Sequence, residues 1–567
     1  MTDNHKAYLQ VEGVNIGAAI FDTHQLSIAR GGSLLLKQAI ETLHLKFAEL
    51  KPISTGASSG IFGLAQADQG VVGRIAKHLS THNDYRHLTF VVAYTDEGDF
   101  QKAKEILFAK NRRAQLRQLS AAPDPADSGD PVPCAIEGIR RAVRAFAMAG
   151  DENDGKKDIK RSESCIARFK YGRRYRNKLY RQELGALMRS RLKHNAGGLP
   201  PELLATFTQL RHSHFSDSFE DIAKNPAYGN LNQKLAVIYF DGNGFGNIQR
   251  ELVKDAKTHQ EFDEQVKTLR RGFLAKLLER WLGHGENKGV IRLEALLWGG
   301  DEMLFVVPAW RGFEFMRLFY AISQDWKITL GGQTRKLTHA GGLVFCSYKT
   351  PIARMTELAK KLADRVKDQP GGRDGNFFDY IALESVDYPA EPLDRFFDHI
   401  YGKHMSQVRR PLQLPLSGGD DAKALSELSV VLKDLPRSQI FQLARLVANL
   451  PPDQPDKPEI VKKRQIIRQD FIDQTSRLQK LYPQEDSPFA KIPGLLHQLA
   501  GLPDASPPTD NNPLLAVPST DEKSANLKPT DLNSDAFNQV AWRWLHLAEC
   551  WDYLAPLDST EKGNGNA

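Results

Sequence analysis

Two stretches decide how this chain folds: LAVIYFDGNGFGNI, residues 235–248, and LLWGGDEMLFVV, residues 296–307. The first opens as an apolar run, LAVIYF, that reads as a buried strand. It runs straight into Asp241, so the carboxylate emerges at the strand's end. Glycines at 242, 244 and 246 remove side chains where a phosphate or a metal would approach the backbone. The second stretch is a pair of apolar strands joined by Gly299–Gly300–Asp301–Glu302, a β-hairpin with acids at its tip. Placed side by side in one sheet, the two stretches bring Asp241, Asp301 and Glu302 together. Three carboxylates in one place repel each other unless a cation intervenes. Their hard oxygen donors suit Mg²⁺ or Mn²⁺. Two such ions, about 4 Å apart, would activate an attacking hydroxyl and stabilise a departing pyrophosphate.

Working outward, strands at 294–298, 303–308, 341–346 and 377–383 alternate with helices at 249–282, 311–323 and 352–368. That alternation predicts a layered α/β (α+β) domain over 226–385. A similar alternation fills 1–125: a strand over 7–22, a helix over 31–50, a hairpin over 53–65, a helix, a strand over 88–94 and another helix. Between the two lies a basic helical insertion, 126–225, entered through the Pro/Asp/Ser/Gly stretch 121–133. A helical domain is expected over 386–501. The Pro-, Ser-, Asp- and Asn-rich segment 502–534 reads as a flexible linker. A C-terminal helix and tail follow over 535–567, with Trp542, Trp544 and Trp551 expected to dock on the body of the protein. A chain of 567 residues is too long for a single core.

Composition narrows the class. No apolar run approaches the roughly 20 residues that cross a bilayer, and MTDNHKAYLQ lacks the pattern of a signal peptide. Cys134, Cys165, Cys346 and Cys550 form no CxxC pair, which argues against a zinc ribbon and for a reducing cytoplasm. The net charge of +7 permits a polyanionic partner without demanding one. Over 156–181, Arg168, Lys170, Arg173, Arg174, Arg176, Lys178 and Arg181 interleave with Phe169, Tyr171, Tyr175 and Tyr180. That pattern suits RNA or another activating polyanion; equally, it suits a basic helical surface with its aromatics packed inward. A second GGDD, Gly418–Asp421, has no flanking strand pair and reads as a helix N-cap. The HSH at 212–214 reads as incidental.

The 235–380 segment resembles the GGDEF and CRISPR-polymerase branch of the palm superfamily, whose members join nucleotides into cyclic messengers. The resemblance implies that Asp241 and Asp301 are the principal metal ligands. Glu302 would assist as ligand or base, and the Gly242 carbonyl would complete the shell. Gly242, Asn243, Gly244, Phe245, Gly299 and Gly300 would lie at the nucleotide, with Lys367 near its triphosphate. Lys360, Lys361 and Arg365 are expected in solvent. Met303 replaces the Phe of signalling GGDEF enzymes, Phe245 is differently spaced, and the upstream RLEALLW lacks their RxxD motif. These departures count against a diguanylate cyclase.

A degenerate twin lies near the N-terminus. VEGVNIGAAI (11–20) lies over FDGNGFGNI (240–248), with Glu12 under Asp241, Gly13 under Gly242 and Gly17 under Gly246. GASSGIF (56–62) lies over GGDEMLF (299–305), with Ser58 and Ser59 in the places of Asp301 and Glu302. Two serines and one glutamate cannot hold two divalent ions. The expected architecture is therefore two ferredoxin-like palm domains, the second catalytic, with helical middle and C-terminal regions. Ser58 and Ser59 would line a passive pocket for a second nucleotide. This layout resembles the large subunit of type III CRISPR effector complexes, which makes cyclic oligoadenylates from ATP. The resemblance implies conversion of nucleoside triphosphates, ATP first, in antiviral signalling, alongside CRISPR-type effector subunits. That family's HD nuclease domain and inter-palm zinc cysteines are missing: only Cys134 and Cys165 lie in the interval. The competing reading is a non-catalytic scaffold that binds RNA through 156–181.

Overall fold

The computed structural model describes residues 5–118 apart from 57, then 132–148, 159–193, 200–283 and 290–384. In the C-terminal third it describes 388–389, 392–401, 416–417, 420–432, 435, 437–451, 456–481, 492, 495, 544–545 and 547–554. The 502–534 segment and Trp542 lie outside the described residues.

The N-terminal unit runs β1 (Ala7–Val14), α1 (Leu26–Glu41), β2 (Lys51–Thr55), β3 (Ser59–Leu64), α2 (Gly70–Thr81), β4 (Thr89–Thr95) and α3 (Phe100–Gln115). Its sheet has the order β2-β3-β1-β4, with every pairing antiparallel. This is the βαββαβ weave of a ferredoxin-like domain. The strand expected over 7–22 stops at Val14. Asn15 takes a left-handed conformation (φ 56°), which no continuing strand tolerates, and a one-turn helix Ile16–Ala19 follows.

A basic segment comes next. It carries a small ribbon, β5 (Arg144–Ala145) and β6 (Lys160–Arg161), then α4 (Glu163–Arg174) and α5 (Lys178–Lys193). So this part is not wholly helical. Helix α4 lies so close on α1 that a Cβ on Gly172 would meet the Ser27 carbonyl at 1.9 Å, and one on Gly31 would meet that of Arg168.

The second weave starts at β7 (Lys234–Gly242). It continues through α6 (Phe245–Leu252), α7 (Ala256–Gly283), β8 (Glu294–Gly299), β9 (Glu302–Pro308), α8 (Gly312–Ser323), a hairpin of β10 (Lys327–Leu330) and β11 (Gln333–Lys336), β12 (His339–Ser347), α9 (Ile352–Asp368) and β13 (Phe377–Ala382). The sheet order is β14-β13-β12-β7-β9-β8, where β14 is Leu416–Ser417. Its last four strands, β12-β7-β9-β8, repeat the first sheet's β4-β1-β3-β2 strand for strand. The chain thus holds two ferredoxin-like palms, the second extended by β13 and β14. Helix α9 buries Ile352, Met355, Leu358, Ala359, Leu362 and Val366 at helical spacing, and this stripe covers β7 and β12.

The palms pack reciprocally: α1 of the first touches β8 of the second, and α7 of the second touches β2 of the first. Buried ion pairs hold this contact. Arg30 on α1 reaches Glu294 at 2.8 Å through Nε. Glu183 on α5 takes Lys37 of α1 at 3.1 Å and Arg271 of α7 at 2.9 Å. Lys37 and Arg271 draw the Glu183 carboxyl down to about 2 against the cost of its burial. The C-terminal part is helical at Asp420–Leu432, Arg437–Ala448 and Pro458–Leu481. Near the chain's end, Trp544 and Trp551 are buried, and the Tyr553 hydroxyl donates to Glu384 at 2.7 Å. Among the described residues no helix is long and apolar enough to cross a membrane.

Candidate functional site

Strand β7 is buried from Leu235 to Phe240, and its end carries Asp241 to the sheet's edge. The neighbouring register pairs Asp241 with Glu302 on β9, and Gly299 with Glu302 across the hairpin. Residues directly opposite on antiparallel strands share a face, so Asp241 and Glu302 point to the same side. Asp301 sits in the turn just ahead, where its carbonyl accepts the Gly242 N–H at 3.1 Å. Gly242 is obligatory at this point: a Cβ there would meet the Phe245 ring at 2.3 Å and the Asp301 Cβ at 2.9 Å. Gly244 then takes a left-handed conformation (φ 64°) and opens α6.

The acids share one edge, yet their oxygens do not converge into a tight cluster. Among the described residues, the group of His, Cys, Asp or Glu side chains whose ligand atoms all lie within 4.8 Å of one another is Cys134, Glu137 and Cys165. The reason is electrostatic. Asp241 turns to the Lys367 ammonium at 2.5 Å, and Glu302 lies 3.7 Å from that of Lys360. Burial raises the Asp301 carboxyl's pKa, and the negative charges of Asp241 and Glu302 raise it further. Burial likewise raises Tyr239, on the same face of β7 two residues before Asp241, with Glu302 and Asp241 adding to the shift. Three oxygen acids that repel one another, one of them already neutralised by an ammonium, are a donor set that fits Mg²⁺ or Mn²⁺.

Lys367 comes from the last turn of α9. Lys360 lies over the Tyr239 ring at 5.0 Å. Arg365, expected in solvent, is instead largely buried: it pairs with Asp379 at 2.5 Å and Asp394 at 3.0 Å, carboxylates that β13 and the helix Leu393–Tyr401 bring to it. Asn243 and Phe245 lie behind the acids. Asn243 is buried and donates through Nδ2 to Thr338 and Gly375, while the Phe245 ring packs edge-on to Phe262 and tilted against His339. Burial and the nearby Lys367 push His339 down to about 3, so its ring is neutral at ordinary pH.

The first palm repeats this framework with different chemistry. Glu12 is the register partner of Ser59, as Asp241 is of Glu302. The Gly13 N–H donates to the Ser58 carbonyl, as Gly242 does to that of Asp301. Left-handed Asn15 stands where Gly244 does. Helix α3 lies on β1 and β4 as α9 lies on β7 and β12. At its end Gln115 hydrogen-bonds Glu12, where Lys367 holds Asp241. An amide thus replaces an ammonium, and burial raises the Glu12 carboxyl's pKa. No motif marks Gln115 in the sequence. Its place near the end of the helix after the fourth strand, like that of Lys367, was the available signal.

The basic stretch divides. Arg168 is buried on Asp22 at 2.8 Å, and Arg176 is buried beside Asp217. Lys170, Arg173, Arg174 and Arg181 face outward. Phe169, Tyr171 and Tyr180 pack inward.

Strand order, register and the acidic hairpin together define a palm-type domain. Residues 234–376 match the family described as Cas10/Cmr2, second palm domain. No curated protein matches the chain. Among solved structures, it is similar to a Csm1–Csm4 cassette in complex with pppApApA (13% identity, TM-score 0.38, 82% of this chain and 64% of that one). It is also similar to the cassette in complex with cA4 (14%, 0.39, 80% and 63%). A third likeness is to Csm1 in T.onnurineus (13%, 0.41, 96% and 70%). The chain therefore spans less than two thirds of the length of the two cassette chains.

Proposed function

We propose that this protein is a metal-dependent nucleotidyltransferase that converts nucleoside triphosphates, ATP first, into a cyclic nucleotide or oligonucleotide messenger in CRISPR-type antiviral signalling. The observation that carries the reading is the placement of Asp241 at the end of β7 beside Asp301 and Glu302 at the β8–β9 hairpin. Asp241, Asp301, Glu302 and the Gly242 carbonyl would hold two Mg²⁺ or Mn²⁺ ions. Bound there, the ions would activate a 3′-hydroxyl and neutralise the departing pyrophosphate. Lys367 would leave Asp241 and turn to the triphosphate. Gly244, Gly299 and Gly300 keep the backbone open to the nucleotide, with Asn243 and Phe245 supporting it from behind. Ser58 and Ser59, with Glu12 and Gln115, would form the passive pocket for a second nucleotide. The domain boundaries 125/126, 225/226 and 385/386 follow the same plan. Lys170, Arg173, Arg174 and Arg181 offer the face for an RNA activator. The same outward set favours the second reading, an RNA-binding scaffold subunit.

One assay separates the two readings. The protein is incubated with labelled ATP or GTP and Mn²⁺ beside Asp301→Ala. Product lost in the variant supports the enzyme. RNA retention with no product from either protein supports the scaffold.

A further inference from the structure

A second cluster of reactive side chains lies in the basic segment, away from the acids. Cys134 and Cys165 are 31 positions apart, yet their sulfurs lie 3.7 Å from each other and both residues are buried. Cys134 starts a tight turn in which its N–H donates to the Arg140 carbonyl at 2.8 Å and its own carbonyl accepts the Gly138 N–H at 2.9 Å. Cys165 sits in the first turn of α4, where its N–H donates to the N-cap hydroxyl of Ser162 at 3.2 Å. That hydroxyl donates to Glu137 at 2.5 Å.

The spacing is informative. Cys134 and Glu137 are three apart, as are Ser162 and Cys165, so the segment has the outline of a paired CxxC knuckle with Glu137 and Ser162 at two corners. A zinc ion does not fit it well. Both Glu137 oxygens are already engaged, one by Ser162 and the other by Arg140 and Arg168. Arg168 also grips Asp22 with two bonds of 2.8 Å. The carboxylates of Asp22 and Glu137 already pair with the guanidiniums of Arg140 and Arg168 without any metal.

We propose that Cys134 and Cys165 are a redox-convertible dithiol that hydrogen peroxide closes to a disulfide, in a knuckle held by ion pairs instead of a metal. Backbone N–H groups of Ile136, Glu137 and Ser162 point at the Cys134 sulfur and, with the Cys165 thiol, favour its anion. The Cys134 thiolate attacks the peroxide, its O–O bond breaks, and the first water leaves. The Cys165 sulfur then displaces the sulfenic oxygen as the second water. Two thiols and one peroxide thus give one disulfide and two waters, with two electrons passing from sulfur to oxygen. The sulfurs need to move from 3.7 Å to about 2.05 Å. In a reducing compartment the pair returns to dithiol. Closure fastens the turn at 134–140 to α4, which itself lies on α1 of the first palm.

The test uses the full-length chain, treated natively with hydrogen peroxide, denatured with N-ethylmaleimide and mapped by mass spectrometry. The expected result is a Cys134–Cys165 peptide pair lighter by two hydrogens and reopened by dithiothreitol, with Cys346 and Cys550 alkylated. In Cys165→Ser, a dimedone adduct should collect on Cys134. Four alkylated cysteines after peroxide would overturn the proposal. So would one equivalent of zinc released from the purified chain when its thiols are blocked.

Discussion

The two palms share strand order, register and even the left-handed residue after the first strand, yet they differ in charge. The second places Asp241 against Glu302 and holds Asp241 with an ammonium. The first places Glu12 against Ser59 and holds Glu12 with an amide. One edge gathers three carboxylates with two lysines against them, and the other keeps a single carboxylate among neutral partners. The lesson is that backbone register and site chemistry can be inherited separately.

The largest effect is expected from Asp301→Ala, with product formation falling by roughly 10³-fold or more, the size of loss seen when one member of a catalytic unit is removed. Ser58→Ala should leave most activity, and equal losses in the two variants would erase the distinction between palms.

Glu183→Gln should loosen the contact between palms. Breaking a buried ion pair costs about 3–5 kcal/mol, read as a lowered Tm at pH 7. Because folding depresses the Glu183 carboxyl to about 2, its contribution is present above the ordinary 4.5 and lost as pH falls through about 2. The Tm gap between wild type and variant should therefore narrow as pH drops across that window. A gap that stays constant would discount the ion pair.

Lys367→Met should raise KM for ATP by about 10- to 100-fold, the worth of one charged hydrogen bond. It should also tighten Mn²⁺ binding in the absence of nucleotide, because the competing ammonium is gone; titration by calorimetry reads both. The smallest effect is expected in the first palm. Ser59→Glu sets a second acid opposite Glu12 and should destabilise the fold by about 0.2–1 kcal/mol. If the first palm can be re-armed, added Mn²⁺ restores the lost Tm in Ser58→Asp/Ser59→Glu.

Much of this was legible in the sequence because short-range pattern carries it. The apolar run into Asp241, the GGDE hairpin and the overlay of Glu12 on Asp241 all lie within single stretches, and the observed register repeats that overlay. The strand pattern alone misses the β10–β11 hairpin, although Gly331–Gly332 marks its turn. Long-range burial was not legible. Arg168, Arg176 and Arg365 read as surface charges because their partners Asp22, Asp217 and Asp379 are named only by the fold. The same holds for Cys134 and Cys165, whose separation in sequence hides a 3.7 Å contact.

The most direct measurement is Mn²⁺ binding followed by electron paramagnetic resonance on wild type, Asp301→Asn and Ser58→Ala. Burial and its acidic neighbours raise the Asp301 carboxyl, so protons compete with the ion as pH falls toward that raised value, and binding should strengthen toward neutral pH. Mn²⁺ should bind to wild type and Ser58→Ala and be lost in Asp301→Asn. Equal binding by all three proteins would contradict a metal site at Asp301.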